Sequence, residues 1–447
     1  MFGKLLCFAL AIAFLVVNAS AQTVTPLNFK ERTLANGLKV VFLQDNSSPT
    51  VSVQVWYNVG SKDDPSQKSG FAHLFEHLMF KSTKNMKSEM FDRLTEDVGG
   101  ENNASTSDDR TEYHEVIPSN YLETLLWAEA ERMTNLNVDE QNFKSERDVV
   151  KEEYRQSVLA NPYGRFYDAI QKRSYAVHPY KRPTIGNIDE LNAASLEDVR
   201  SFYKTFYRPD GATLIVVGDF EPAQLNVWID KYFGRIAKPE GAIPRVTLQE
   251  PPRTAEQRFV ESAPNVPLPG VALTYLAPPS KSADNAALKV AQAILSGGES
   301  SRLYQELIYK QQIAQEAAFS IDDRTDKGLL IFYAIAAGGK TPAELEKSLL
   351  AELKKMQNAP PSAAEIEKAK NGLITEALSE RETNLGKAEA IGNAVIYQGD
   401  PAAVNNSIEE LRKVTAQDVQ NVMKKYFTDN NRVVIYYQNE TATENTK

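Results

Sequence analysis

The sequence predicts an α+β protein made of two homologous, sandwich-like halves that arose by internal duplication. The segment "SLEDVRSFYKTFYRPDGATLIVV" is echoed by "TAQDVQNVMKKYFTDNNRVVIYY", with Ser195 over Thr415 and Asp198 over Asp418, a constant offset of 220 residues. The same offset lays "VALTYLAPPSK" under "VSVQVWYNVGSK". Strand-like alternation and helical periodicity also follow each other along both halves. The seam is the Pro-rich stretch "AKPEGAIPRVTLQEPPRTAEQ", which reads as a linker. The expected division is therefore an N-terminal domain over 22–240, a linker over 241–258 and a C-terminal domain over 259–441.

In chain order, residues 1–21 read as a secretory signal: Lys4, the apolar run Leu5 to Val17, then "ASA" as cleavage site. The run is too short for a permanent bilayer anchor. The chain is thus expected to be exported, periplasmic or secreted, with no stable membrane anchor. Next, "TLANGLKVVFLQD" reads as a hairpin turning at Asn36-Gly37. "VSVQVWYNVG" alternates as a strand, with Val51, Val53, Val55 and Tyr57 on one face. A polar loop leads to a helix holding two of the four histidines. "NNASTSDDRTEYHEVI" predicts two short strands around a polar turn, and two helices follow, the second ending at Asn161-Pro162.

Composition narrows the function. Hydrophobic residues at 42% are enough for cores of this size. A net charge of −9 argues against nucleic-acid binding, which needs basic surface. The only cysteine, Cys7, lies in the signal, so no disulfide or thiolate ligand is available to the exported chain. A metal site must then draw on histidine and carboxylate.

"FAHLFEHLMF" supplies both. Residues four apart share a helix face, so His73 and His77 can present their imidazoles to one point with Glu76 beside them. Two nitrogens from one rigid helix suit zinc, which takes three protein ligands plus water when catalytic. Glu76 is free to accept a proton from that water. For the third ligand, Glu146 and Glu153 lie about 20° apart around a helix, whereas Glu152 points aside. That spacing suits a buried pair, with Glu153 as ligand and Glu146 supporting it or a ligand histidine. Glu140, Glu152, His114 and His178 read as surface or structural residues, and Phe75 and Phe80 as core. The second half has no histidine at the equivalent helix, so any such chemistry belongs to the first half.

The inverted H-x-x-E-H motif, followed by Glu153 76 residues after His77, resembles the pitrilysin, insulinase and mitochondrial processing peptidase family. "ANGLKVVFLQD", "NASTSDDRTEYH", "AERM", "ERDVVKEE" and "SSRLYQELIYKQQIA" keep that family's order over nearly the whole chain. The resemblance implies a two-domain unit that forms half of a clamshell around a peptide. It implies one Zn2+ per chain on His73, His77 and Glu153, with Glu76 as general base. It also implies a "NNAST" edge strand where Asn103 and Ala104 bind the substrate backbone.

The chain departs from that pattern at one place. Active members carry an arginine and a tyrosine seven residues apart, facing the zinc; here those positions are Ile308 and Gln315. Ile308 has no donor, and Gln315 has neither charge nor phenol. The gap favours a heterodimer in which a zinc-less homologous subunit supplies the pair, with a homodimer as the other arrangement. A non-catalytic peptide-binding or assembly subunit stands as the alternative to a zinc endopeptidase subunit.

Overall fold

In the computed structural model residues 25–441 are described, so the expected signal peptide lies outside the described residues. The described strands form two sheets. The first contains β1 (Lys30–Thr33), β2 (Lys39–Gln44), β3 (Thr50–Tyr57), β4 (Glu101–Thr106), β5 (Thr111–Pro118) and β6 (Ala212–Gly218), in the order β1-β2-β6-β3-β5-β4. The second contains β7 (Gln257–Ala263), β8 (Gly270–Leu276), β9 (Ala314–Asp322), β10 (Leu329–Ala336) and β11 (Val433–Asn439), in the order β7-β11-β8-β10-β9. Leaving out β1, the two orders superpose strand for strand. Even the parallel pairs agree, β2 with β6 and β7 with β11. The duplication seen in the sequence is therefore a duplication of topology. Residues 237–256 between the sheets carry neither helix nor strand.

Local chemistry explains the matching elements. Asn36-Gly37 turns the β1–β2 hairpin, with Gly37 at φ 97° and the Asn36 side chain bonded to the Phe233 and Ile236 carbonyls. The helices Leu196–Phe206 and Ala416–Tyr426 each start in a reciprocal cap, Ser195 with Asp198 and Thr415 with Asp418. Helices cover one face of each sheet and close its main apolar core.

The other faces are closed by exchange between the halves. The helix Gly164–Ser174 belongs to the first half by sequence, yet Phe166, Ala169 and Ile170 pack on Ala272, Ile335 and Ile435 of the second sheet. Its counterpart 220 residues on, the helix Asn384–Asn393, packs Ala388 and Ile391 on Val41, Trp56 and Ile215 of the first sheet. The alternation in "VSVQVWYNVG" would leave one face of β3 polar and open to water. Instead Ser52 and Gln54 are fully buried under the exchanged helix. Gln54 accepts from the Trp56 indole at 2.8 Å and donates to the Leu385 carbonyl at 3.4 Å.

The exchanged helix passes Trp56 at a glycine. A Cβ on Gly392 would sit 2.1 Å from the Trp56 ring, which is itself fixed between sheet and helix. Gly392→Val is expected to destabilise the chain by about 1–3 kcal/mol through overpacking, read as a lower urea midpoint. Gly372→Ala, in a helix with open space around that position, is the control and should be neutral or raise the midpoint.

Candidate functional site

The histidine helix, Phe71–Leu78, begins at Gly70 in a left-handed conformation, φ 93°. A Cβ there would collide with the Ile185 carbonyl at 2.8 Å, so glycine is required. Glycine offers no cap, and Asp64 replaces it from the preceding loop. Its carboxylate accepts from the amides of Gly70 at 2.6 Å and Ala72 at 2.9 Å. Phe71, Leu74, Phe75 and Leu78 are buried in the first core, and the Tyr113 hydroxyl donates to the Phe75 carbonyl at 3.3 Å. These contacts fix the rotation of the helix. His73, Glu76 and His77 are then left on the side facing β4 and the helix Glu140–Tyr154.

That second helix is capped by Asp139, which accepts from Asn142, and continues as a wider turn over Arg155–Ala160 to Asn161. It brings Glu153 to the histidines: Oε2 stands 3.7 Å from His73 Nε2 and 3.5 Å from His77 Nε2. Donor atoms of the three residues all lie within 4.8 Å of one another. A zinc tetrahedron with bonds of ~2.0–2.1 Å has an edge of about 3.3 Å, so the two Glu153–histidine edges need to shorten by only a few tenths of an ångström to fit the ion. Among the described residues no other histidine or acidic cluster has this geometry.

Glu146 stands behind the pair. It is buried, 3.7 Å from His77 Nδ1, and held by Lys81 at 2.9 Å and by the Ser145 hydroxyl at 3.0 Å. Of the buried pair expected from the seven-residue spacing only Glu146 is buried; the Glu153 side chain is 45% exposed and meets the site from the solvent side. Glu152 and Glu140 lie on the exposed face, paired with Arg155 and Lys144. His114 bonds Glu112 at 3.0 Å, and His178 is buried against Tyr180, its Nδ1 accepting from the Tyr180 amide. Neither approaches the cluster.

Electrostatics separates the two histidines. Burial, reinforced by its charged neighbour His77, pushes the His73 imidazole down to about 4, so it is neutral at neutral pH. Burial also opposes charge on His77, but Glu146 and Glu153 outweigh it and raise that ring to about 9. Burial raises the Glu76 carboxyl above its ordinary range, against the hydrogen bond it receives from Thr106. The Thr106 hydroxyl donates to Glu76 Oε2 at 2.5 Å.

Thr106 is the last residue of β4, an edge strand of its sheet. Asn103 is exposed on it, opposite His114, and its side chain accepts from the Ala104 amide at 2.8 Å. The Ala104 N–H is thus satisfied by a movable side chain rather than by β5. Ile308 is half-buried against the second core, Gln315 is exposed on β9, and Tyr309 between them is 69% exposed. Asp64, Thr106 and Tyr113 were not expected from the sequence. Asp64 acts across a loop and the other two across strands, so no short spacing rule marks them.

Comparison with known proteins bears on the same segments. The family model described as "Insulinase (Peptidase family M16)" matches residues 39–187, which contain every residue of the cluster, and "Peptidase M16 inactive domain" matches 193–373. The chain is 32% identical to "Zinc protease PqqE" of Helicobacter pylori, over 90% of this chain and 91% of that one. It is 25% identical to "Probable mitochondrial-processing peptidase subunit beta" of Arabidopsis thaliana, over 89% and 76%. A crystal structure of a protease from Helicobacter pylori, 31% identical, superposes with a TM-score of 0.89 over 93% of this chain and all of that one. The chain belongs to peptidase family M16, the insulinase family.

Proposed function

We propose that the chain is a zinc-dependent endopeptidase subunit, with His73, His77 and Glu153 as metal ligands and Glu76 as general base. The observation that carries this reading is the convergence of the three donors on one point with the Glu76 carboxylate beside it, bonded to the strand expected to hold substrate. Zinc bound there would act as a Lewis acid and lower the pKa of water toward neutrality. The protein's own residues do the rest. Glu146 holds His77 from behind and keeps its Nε2 toward Glu153. The exposed edge of β4 accepts a peptide in extended form once Asn103 releases the Ala104 amide. Glu76 takes a proton from the attacking water and returns it to the leaving amine as the peptide bond breaks.

Zinc-protease relatives support the peptidase part of this reading. Ile308 and Gln315 bear on the rest, since neither offers the charged donor or phenol that would stabilise an oxyanion. A homologous partner chain supplying an arginine and a tyrosine fills that gap, and the Arabidopsis relative is itself named a subunit. The function is placed outside the cytoplasm because the first 21 residues read as an export signal.

Peptide cleavage by the chain without residues 1–21 tests this, followed by mass spectrometry with zinc, with chelator and with zinc restored. Zinc-dependent cleavage by the chain alone supports the mechanism and removes the need for a partner. Zinc bound at one per chain without cleavage keeps the metal site and sends the search to a partner. Failure to bind zinc sinks the proposal and leaves the peptide-binding subunit.

A further inference from the structure

The segment "SDDRT" closes the β4–β5 turn, and neither of its aspartates takes part in the metal cluster. Both are buried, Asp108 8% and Asp109 1% exposed, and both are tied to the second half. Asp108 accepts from the Ser61 hydroxyl at 2.9 Å and pairs with Arg324 at 3.0 Å. Asp109 accepts from Lys62 at 2.6 Å, from the Tyr180 hydroxyl at 2.6 Å, and from the amide and hydroxyl of Thr325 at 3.0 and 2.5 Å. Arg324 is 3% exposed, lies over the Tyr180 ring and also pairs with Asp322 at 2.6 Å. Backbone contacts complete the junction: Ser61 and Lys62 donate to the Ser107 and Asp108 carbonyls, each at 3.1 Å.

The junction sits between the two supports of the candidate catalytic group. On one side, two residues before Asp108, Thr106 holds Glu76. On the other, the loop bonded to the turn runs on to Asp64, which caps the histidine helix. A buried charge network has low tolerance for displacement, because moving one member leaves another desolvated and unpaired. The turn is therefore held from two sides, by Ser61, Lys62 and Tyr180 of its own half and by Arg324 and Thr325 of the half that carries no metal ligand.

We infer that Arg324 and Thr325 of the second half are positioning residues, which seat the β4–β5 turn so that Thr106 meets Glu76. The inference rests on Glu76 being the general base, as proposed above. Its role is specific: Arg324 acts on the reaction through Thr106.

A double-variant cycle on the zinc-loaded full chain tests this with Arg324→Gln, Thr106→Val and both together. If a partner subunit proves necessary, the same cycle is run in the complex. Arg324→Gln is expected to lower kcat ~10- to 100-fold, since misplacement far from the chemistry has effects of that order. The double variant should fall no more than about twofold below Thr106→Val alone, because the second change then has nothing left to misplace. Losses that multiply would overturn the inference. Should Arg324→Gln fail to fold, Thr325→Val removes one hydrogen bond and no charge, and carries the same cycle.

Absence of cleavage in every wild-type preparation counts against the proposed function rather than against the junction. Amide exchange then decides it. Exchange of residues 101–111 should quicken ~10-fold or more in the Arg324 variant while β11 stays protected, as expected for a local opening. Equal exchange in variant and wild type would end the proposal.

Discussion

Glu76→Gln is expected to reduce peptide hydrolysis ~10²- to 10⁴-fold, the range contributed by a positioned general base. In free energy that is about 3–5 kcal/mol of lost transition-state stabilisation. The substitution preserves shape and still accepts from Thr106, but an amide cannot take the water's proton. Zinc should bind unchanged, because the proposed donor set is His73, His77 and Glu153 and does not include Glu76. Metal content and kcat measured on one preparation therefore separate the two roles. Loss of metal in Glu76→Gln would mean that the carboxylate is a ligand. Unchanged kcat with full metal would mean that another group accepts the proton. His77→Ala makes the contrast, since it should lose both metal and activity.

The cluster was legible because its spacings are helical. His73 and His77 are four apart, and Glu146 and Glu153 seven apart, so each pair is set by one rigid element whatever the fold around it. Only the meeting of the two helices needed the tertiary structure. What holds the site could not be read in the same way. Asp64 caps the histidine helix across a loop, Thr106 reaches Glu76 over 30 residues, and Arg324 reaches Asp108 from the other half. Each is a polar contact between segments distant in sequence, and no periodicity records it.

The fold divides along the same line. The 220-residue echo gave two like sheets, and the strand orders agree with it. The exchange of the helices Gly164–Ser174 and Asn384–Asn393 left only an indirect mark. Ser52 and Gln54 look like solvent-facing positions, because a polar residue sealed under a distant helix reads the same as one facing water.

Arg132→Met should be the most destabilising single change in the first half, by about 3–5 kcal/mol, because it leaves a buried carboxylate uncompensated. Arg132, Glu115 and Glu129 are all fully buried. Arg132 donates from Nε to Glu129 and from Nη2 to Glu115, both at 2.8 Å, and its guanidinium lies 4.0 Å from the Phe91 ring and 4.5 Å from that of Tyr113. Two carboxylates share one cation. Burial, with Glu129 nearby, pushes the Glu115 carboxyl well above its ordinary value, against the pull of the Arg132 guanidinium. Removing the cation leaves the two buried carboxyl groups without the guanidinium they both face. Met fills the volume, so the loss measured is electrostatic rather than a cavity. Adding Glu129→Gln to Arg132→Met should restore much of the urea midpoint, since a neutral amide no longer needs the guanidinium. The site should feel the single variant as well. Arg132 pins β5, whose Tyr113 hydroxyl holds the Phe75 carbonyl of the histidine helix. Zinc affinity should therefore fall together with stability in Arg132→Met and recover together in the double variant. Wild-type stability in the single variant would show that the buried charges are paired in some other way. A loss that Glu129→Gln does not relieve would assign Arg132 a packing role against Phe91 and Tyr113 instead.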